Sequence, residues 1–171
     1  SLRLMYPSTP SPADCAATAV RTRAWRAGEL IAEGFPVADV SEHLAADPNV
    51  VVWVDMCEPD REKLLVLADE LSLHDLAVED ALGPHQRPKL DHYEHHLFIV
   101  ADMVYQDESE RICGEQVSFF LGKHLLITIQ EAVGGDVFDP VRERLRTGAG
   151  RGFIRKSRSD YLAYALLDAI I

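Results

Sequence analysis

The run Val50-Val51-Val52-Trp53-Val54 has no polar break and many β-branched residues, so it predicts a strand buried on both faces and central to a sheet. Upstream, residues 19–25 and 30–32 flank Arg26-Ala27-Gly28-Glu29, which reads as a hairpin with Gly28 in the positive-φ position. Residues 37–46 predict a short helix, broken by Pro48-Asn49. Leu64, Leu67, Ala68 and Leu71 recur at helical spacing behind Pro59, which is expected at the first helical position with Asp60 and Glu62 in the first turn; this helix should cover a sheet face. A further helix over 74–82 meets Gly83-Pro84, where Gly83 is expected as a left-handed cap. His85-Gln86-Arg87-Pro88-Lys89 follows as a polar connector. Residues 97–105, 117–121 and 125–129 predict strands, with a polar turn over 106–111 and a tight hairpin through Gly122-Lys123-His124. Residues 138–146, with Pro140 in the first turn, and 159–171 predict the last two helices.

These elements give an α/β fold: a mixed, partly antiparallel sheet sandwiched between helices (α/β/α) in a single domain. Residues 1–17, rich in Pro and Ser, are expected as a flexible segment and 18–171 as the folded domain. The final helix stops at Ala169-Ile170-Ile171 without Gly, Asn, Pro or a basic residue, which points to a boundary inside a longer protein.

Composition narrows the function. With 171 residues, 47% of them hydrophobic, the chain can bury its own core. The 28 acidic against 17 basic residues, a formal charge of -11, disfavour nucleic acid as a partner. The N-terminal stretch lacks the apolar core of a signal peptide, and no apolar run approaches the roughly 18 residues of a membrane span, so the chain as given reads as a soluble cytosolic domain. Cys15, Cys57 and Cys113 are far apart with no C-x-x-C pair, and are expected as ordinary thiols of a reducing compartment.

Three constellations could carry chemistry. Glu79 and Asp80 sit side by side on the 74–82 helix, but adjacent helical residues point about 100° apart. One ion between them needs oxygens from another segment or subunit; hard cations such as Mg2+ accept such carboxylate and water oxygens. Alone, the pair reads better as a solvated helix face than as an ion site. His92 and His96 have the i, i+4 spacing of zinc ligands on a helix, yet Leu97-Phe98-Ile99-Val100 draws the segment toward strand, where that spacing spans roughly 13 Å. Arg142, Arg144, Arg146, Arg151, Arg155, Lys156 and Arg158 form a basic cluster that could take an anion, but is expected to pair with acidic residues across a domain or subunit contact. Neither a phosphate loop nor a nucleophile with its base appears, so no enzyme is expected.

Several collinear segments resemble the CorA family of magnesium and cobalt channels. They are Val52-Trp53-Val54-Asp55, Leu76-Ala77-Val78-Glu79-Asp80-Ala81-Leu82 running into His85-Gln86-Arg87-Pro88-Lys89, and Glu115-Gln116-Val117-Ser118 with Leu121-Gly122-Lys123. Further on come Asp136-Val137-Phe138-Asp139-Pro140-Val141-Arg142-Glu143-Arg144, then Asp160-Tyr161-Leu162 with Leu166-Leu167-Asp168-Ala169. The match begins near Val50. It implies a cytoplasmic α/β/α domain followed, in the complete protein, by a stalk helix and two membrane helices in a homopentamer at the cell membrane. The family's Gly-Met-Asn pore signature is not in this sequence. The resemblance also implies divalent ions, Mg2+ with Co2+ or Zn2+ as relatives, held between neighbouring protomers at positions matching Glu79, Asp80 and Asp168, with a further acidic partner from the stalk. The implied role is sensing cytoplasmic Mg2+ and closing the pore. His85 to Lys89 is read as a connector whose Arg87 and Lys89 pair with acidic neighbours. The alternatives are the same domain of a zinc-transporting relative, a stand-alone soluble metal-binding module, and, last, a metallohydrolase using the histidines.

Overall fold

The computed structural model describes residues 20–106, 109–131, 138–146 and 159–170. Within them the all-apolar run becomes strand β3 (Val50–Met56), every residue of which is buried. It lies inside a seven-stranded sheet of order β2-β1-β3-β7-β6-β5-β4. β3 pairs in parallel with β7 (Leu125–Gln130), and the other neighbours are antiparallel. Complete burial on both faces removes each large side chain from water for about 1.5–3 kcal/mol. This is why the run needs no alternation.

The first hairpin joins β1 (Val20–Arg26) to β2 (Glu29–Glu33) through Ala27 and Gly28, at φ 51° and 85°. Both central residues are left-handed, as the strand twist requires of a two-residue turn. At the other edge, β4 (Lys89–His92) pairs with β5 (Leu97–Gln106), which forms a long ladder with β6 (Ile112–Leu121). β6 begins five residues before the expected start at 117.

Helices cover both faces. On one, α1 (Val40–Ala46), entered through a 3-10 turn at Val37–Asp39, α2 (Arg61–Leu71) and α3 (Asp75–Leu82) pack over Val52, Val54, Phe98, Phe120 and Ile127. On the other, α4 (Asp139–Arg146) and α5 (Ser159–Ile170) pack over Trp25, Val51, Trp53, Phe119 and Leu126. The α/β/α sandwich with a mixed, partly antiparallel sheet is therefore observed as a single domain.

Two helix ends differ from expectation. Asp60, not Pro59, opens α2 as its N-cap, the Asp60 carboxylate accepting from Lys63 N–H at 3.1 Å, so Pro59 stands outside the helix. Gly83 is extended, at φ -85° and ψ 
-172°, because Pro84 pushes the residue before it out of helical space. Glycine also relieves crowding there: a Cβ would lie 3.0 Å from the Glu79 carbonyl oxygen. Cys57, buried just past the end of β3, is disulfide-bonded, whereas Cys113 is a free thiol. The expectation of three ordinary thiols fails at Cys57, because spacing along the chain does not show which thiols the fold brings together. Residues 1–17, expected as a flexible segment, lie outside the described residues, as do Arg151, Arg155, Lys156 and Arg158 of the basic cluster.

Candidate functional site

Helix α3 carries two of the three predicted carboxylates. The His74 ring caps it, Nδ1 accepting from Leu76 N–H at 3.2 Å, and Ala77, Val78 and Ala81 are buried against the sheet. That inward stripe fixes the outward one: Leu76 is 58% exposed, Glu79 is exposed and Asp80 is half-buried. An exposed leucine one turn before two carboxylates gives the face a mixed apolar and anionic character.

After Gly83 the connector is held against the sheet. Gln86 N–H donates to Gln116 Oε1 at 2.6 Å, and the His85 ring lies 3.4 Å from Asp102. The chain then enters β4, where Lys89 and Asp91 are half-buried and Leu90 and His92 exposed, the alternation of an edge strand covered on one side. Lys89 lies opposite Val100 and turns its ammonium toward α3. Its Nζ donates to Asp80 Oδ2 at 2.5 Å and to Asp91 Oδ2 at 2.9 Å, and lies 5.7 Å from the Phe98 ring centre. The hydrogen bond to Asp80 and, after it, that to Asp91 hold the Lys89 pKa well above its ordinary value. The expected pairing of Lys89 with acidic neighbours is thus observed, and its principal partner is a candidate metal ligand.

Asp168 is elsewhere. It is exposed on α5, whose Leu162, Ala163 and Leu166 pack on the sheet face opposite to that covered by α3. The fold does not bring Glu79, Asp80 and Asp168 together within one chain, and among the described residues no three His, Cys, Asp or Glu side chains form a metal-holding group. The donors at α3 are hard carboxylate oxygens, which fit Mg2+ in kind, but one chain supplies only part of a coordination sphere.

The histidines have a different use. A turn at Tyr93 to His96 separates β4 from β5, so His92 and His96 lie at the two ends of a hairpin connection and not along one strand. His92 is exposed, while His96 is buried between Tyr93 and Phe120. His96 Nε2 accepts from His74 N–H at 3.0 Å, tying β5 to the start of α3, and buried Nδ1 has no hydrogen-bond partner among the described residues. Burial, the largest cause, pushes the His96 pKa down.

A polar network missing from the sequence reading lies beneath the other face. Asp55 on β3 accepts from Arg142 of α4 through Nε at 3.1 Å and through a second guanidinium nitrogen. Its other oxygen accepts from Thr128 Oγ1 at 3.1 Å, which in turn accepts from Trp53 Nε1 at 2.9 Å. Arg142 also stacks 5.5 Å over Trp53, and Arg21 approaches Asp55 at 3.9 Å. Arg142, expected to face another domain or subunit, instead pairs inside its own. The sign in the sequence is that Arg142 shares the helical face of Phe138, Val141 and Leu145.

Comparison with known proteins gives these features a context. The family model described as "CorA-like Mg2+ transporter protein" matches residues 48–171, from the turn before β3 through both candidate-bearing helices. The chain is similar to the cobalt/magnesium transport protein CorA of Thermotoga maritima, 40% identical over 140 residues, which cover 80% of this chain and 39% of that relative. The chain therefore spans about two fifths of that curated relative's length. In fold it resembles the soluble domain of CorA from Methanocaldococcus jannaschii, with a TM-score of 0.63 at 15% identity, covering 89% of this chain and 55% of that one. It also resembles the ZntB cytoplasmic domain of Vibrio parahaemolyticus, with a TM-score of 0.59 at 10% identity, covering 90% and 58%. Among the described residues no helix is long and apolar enough to cross a membrane.

Proposed function

The chain belongs to the family of CorA-like Mg2+ transporter proteins, and from that membership we propose that residues 18–171 form the cytoplasmic ion-sensing and gating domain of a divalent-cation transporter. In this reading the complete protein is a homopentamer in the cell membrane, anchored by helices outside this chain. Glu79 and Asp80 of one protomer and Asp168 of the next are halves of a regulatory cation site, with a further acidic partner from a stalk helix outside this chain. We assign the domain no catalytic role and no nucleic-acid partner.

The observation that carries the reading is the position of the three carboxylates on helices that cover opposite faces of one sheet. In a cyclic, head-to-tail assembly each copy offers one surface to one neighbour and a different surface to the other. Such a ring can set α3 of one copy against α5 of the next, which no single chain can do by itself. The exposed Leu76 beside Glu79 and Asp80 suits a face that another protein surface covers.

The mechanism follows from charge. Two carboxylates about 4 Å apart repel by roughly 4 kcal/mol at an effective dielectric constant of 20, and a cation between them turns repulsion into attraction. A bound ion holds neighbours together and favours the closed ring; its loss releases them. Moving a two-state equilibrium from 1:99 to 99:1 needs about a 10,000-fold differential affinity, which five equal sites supply with only about sixfold each. A site of one or two carboxylates per protomer is sufficient for that. Carboxylate and water oxygens suit Mg2+, and the site offers none of the sulfur or nitrogen ligands typical of a zinc site. The histidines offer the zinc alternative little, since His96 Nε2 is occupied by His74 N–H.

The test is uptake by the full-length protein in liposomes as internal Mg2+ is raised. Asp80→Ala should raise the half-inhibiting Mg2+ concentration at least about tenfold. Unchanged sensitivity contradicts the proposal.

A further inference from the structure

Asp80 is not a bare carboxylate waiting for an ion. The Lys89 ammonium already sits on its Oδ2 at 2.5 Å and bridges to Asp91 at 2.9 Å. Three features of the chain put it there. Gln86 N–H is anchored on Gln116 Oε1, Pro88 restricts the backbone entering β4, and the ladder from Lys89 to His92 with β5 fixes the side on which Lys89 emerges. The Phe98 ring below, 5.7 Å from Nζ, adds a weak attraction for the cation. Lys89 and Asp80 nevertheless remain 30% and 27% exposed, so water and solvent ions reach the pair.

We propose that Lys89 is a tethered competitor for the divalent cation: the ion binds Asp80 by displacing the Lys89 ammonium, and this exchange sets the concentration range to which the site responds. The proposal rests on the assignment of Asp80 to the regulatory site and adds to it. A carboxylate held by a lysine costs less to leave ion-free, because the repulsion between acidic groups across the subunit boundary is already reduced. Conversely, a divalent ion must win against a cation that is always present at high local concentration. The released ammonium keeps Asp91 as a partner, so the exchange leaves no charge without a counter-ion. Lys89 therefore acts as a positioning residue that tunes affinity without touching the ion.

The experiment uses full-length protein and two readouts: the Mg2+ concentration that half-inhibits uptake, and the Mg2+ concentration that half-protects the protein from limited proteolysis. Lys89→Met should lower both, by about twofold to fivefold, since the partly exposed pair with Asp80 that the ion must break is worth up to about fivefold in an equilibrium. Lys89→Arg, which keeps the charge and the two partners, should stay near the wild-type values. In an Asp80→Asn background, Lys89→Met should have no further effect. Raised or unchanged midpoints in Lys89→Met, with Asp80→Asn still desensitised, overturn the competitor role and leave the Asp80 assignment standing. If Asp80→Asn itself leaves both midpoints unchanged, the assignment fails and the competitor role with it.

Discussion

Two acidic residues of this domain are each gripped by a basic side chain, and their surroundings give them opposite roles. Asp55 and Arg142 are 2% and 6% exposed, linked through two guanidinium nitrogens, with Thr128 and Trp53 completing the network. Asp80 and Lys89 are 27% and 30% exposed on an edge strand and the outer side of a helix. The buried pair cannot exchange its partner, because either charge left alone in the core is severely penalised. The outer pair can, because water and ions replace what is lost. The first therefore fastens α4 to the sheet, while the second is open to exchange with solution cations, as the proposed function requires.

Arg142→Met should break this symmetry most visibly. It removes the two guanidinium hydrogen bonds to buried Asp55 and the stacking on Trp53, and should destabilise the domain by about 3–5 kcal/mol in denaturant unfolding. A loss below about 1 kcal/mol would place the pair in the same class as Asp80 and Lys89.

His96 is a further ionisable group, buried like Asp55 but without a counter-ion among its described hydrogen bonds. Its folded-state pKa lies below the ordinary 6.5, so the unfolded chain binds more protons in the interval between the two values. The stability due to neutral His96 is complete above about pH 6.5 and falls as the pH drops through that interval. Unfolding midpoints between about pH 7.5 and 5 should show less pH dependence in His96→Gln, which keeps an acceptor for His74 N–H. Identical slopes in the two proteins would remove His96 from the account. The smallest effect is expected at the outer pair itself: Lys89→Met should change domain stability by less than about 1 kcal/mol, and less again in high salt.

Much of the frame is legible in the sequence because it is written in local patterns. The unbroken Val50 to Val54 run marks a central strand, and the positive-φ demand of the first hairpin falls on Ala27 and Gly28. Strand β4 is not legible: Lys89 to His92 is short and polar, and becomes a strand only because β5 offers a free edge. The start of β6 at Ile112 is hidden in the same way, its exposed residues held by pairing with β5. The proposal of Glu79, Asp80 and Asp168 as site residues comes from the family pattern and not from spacing. The partner of Lys89 and the meeting of Asp55 with Arg142, 87 residues apart, depend on tertiary packing that no local pattern encodes.

The central claim is that α3 of one copy faces α5 of the next across a cation. Oxidative cross-linking of full-length protein carrying both Glu79→Cys and Asp168→Cys tests it most directly, with each single variant as control. The double variant should give a ladder of covalent oligomers ending at five subunits, while the single variants stay near background. A double variant that yields only monomers, or only dimers in common with a single variant, would contradict the account.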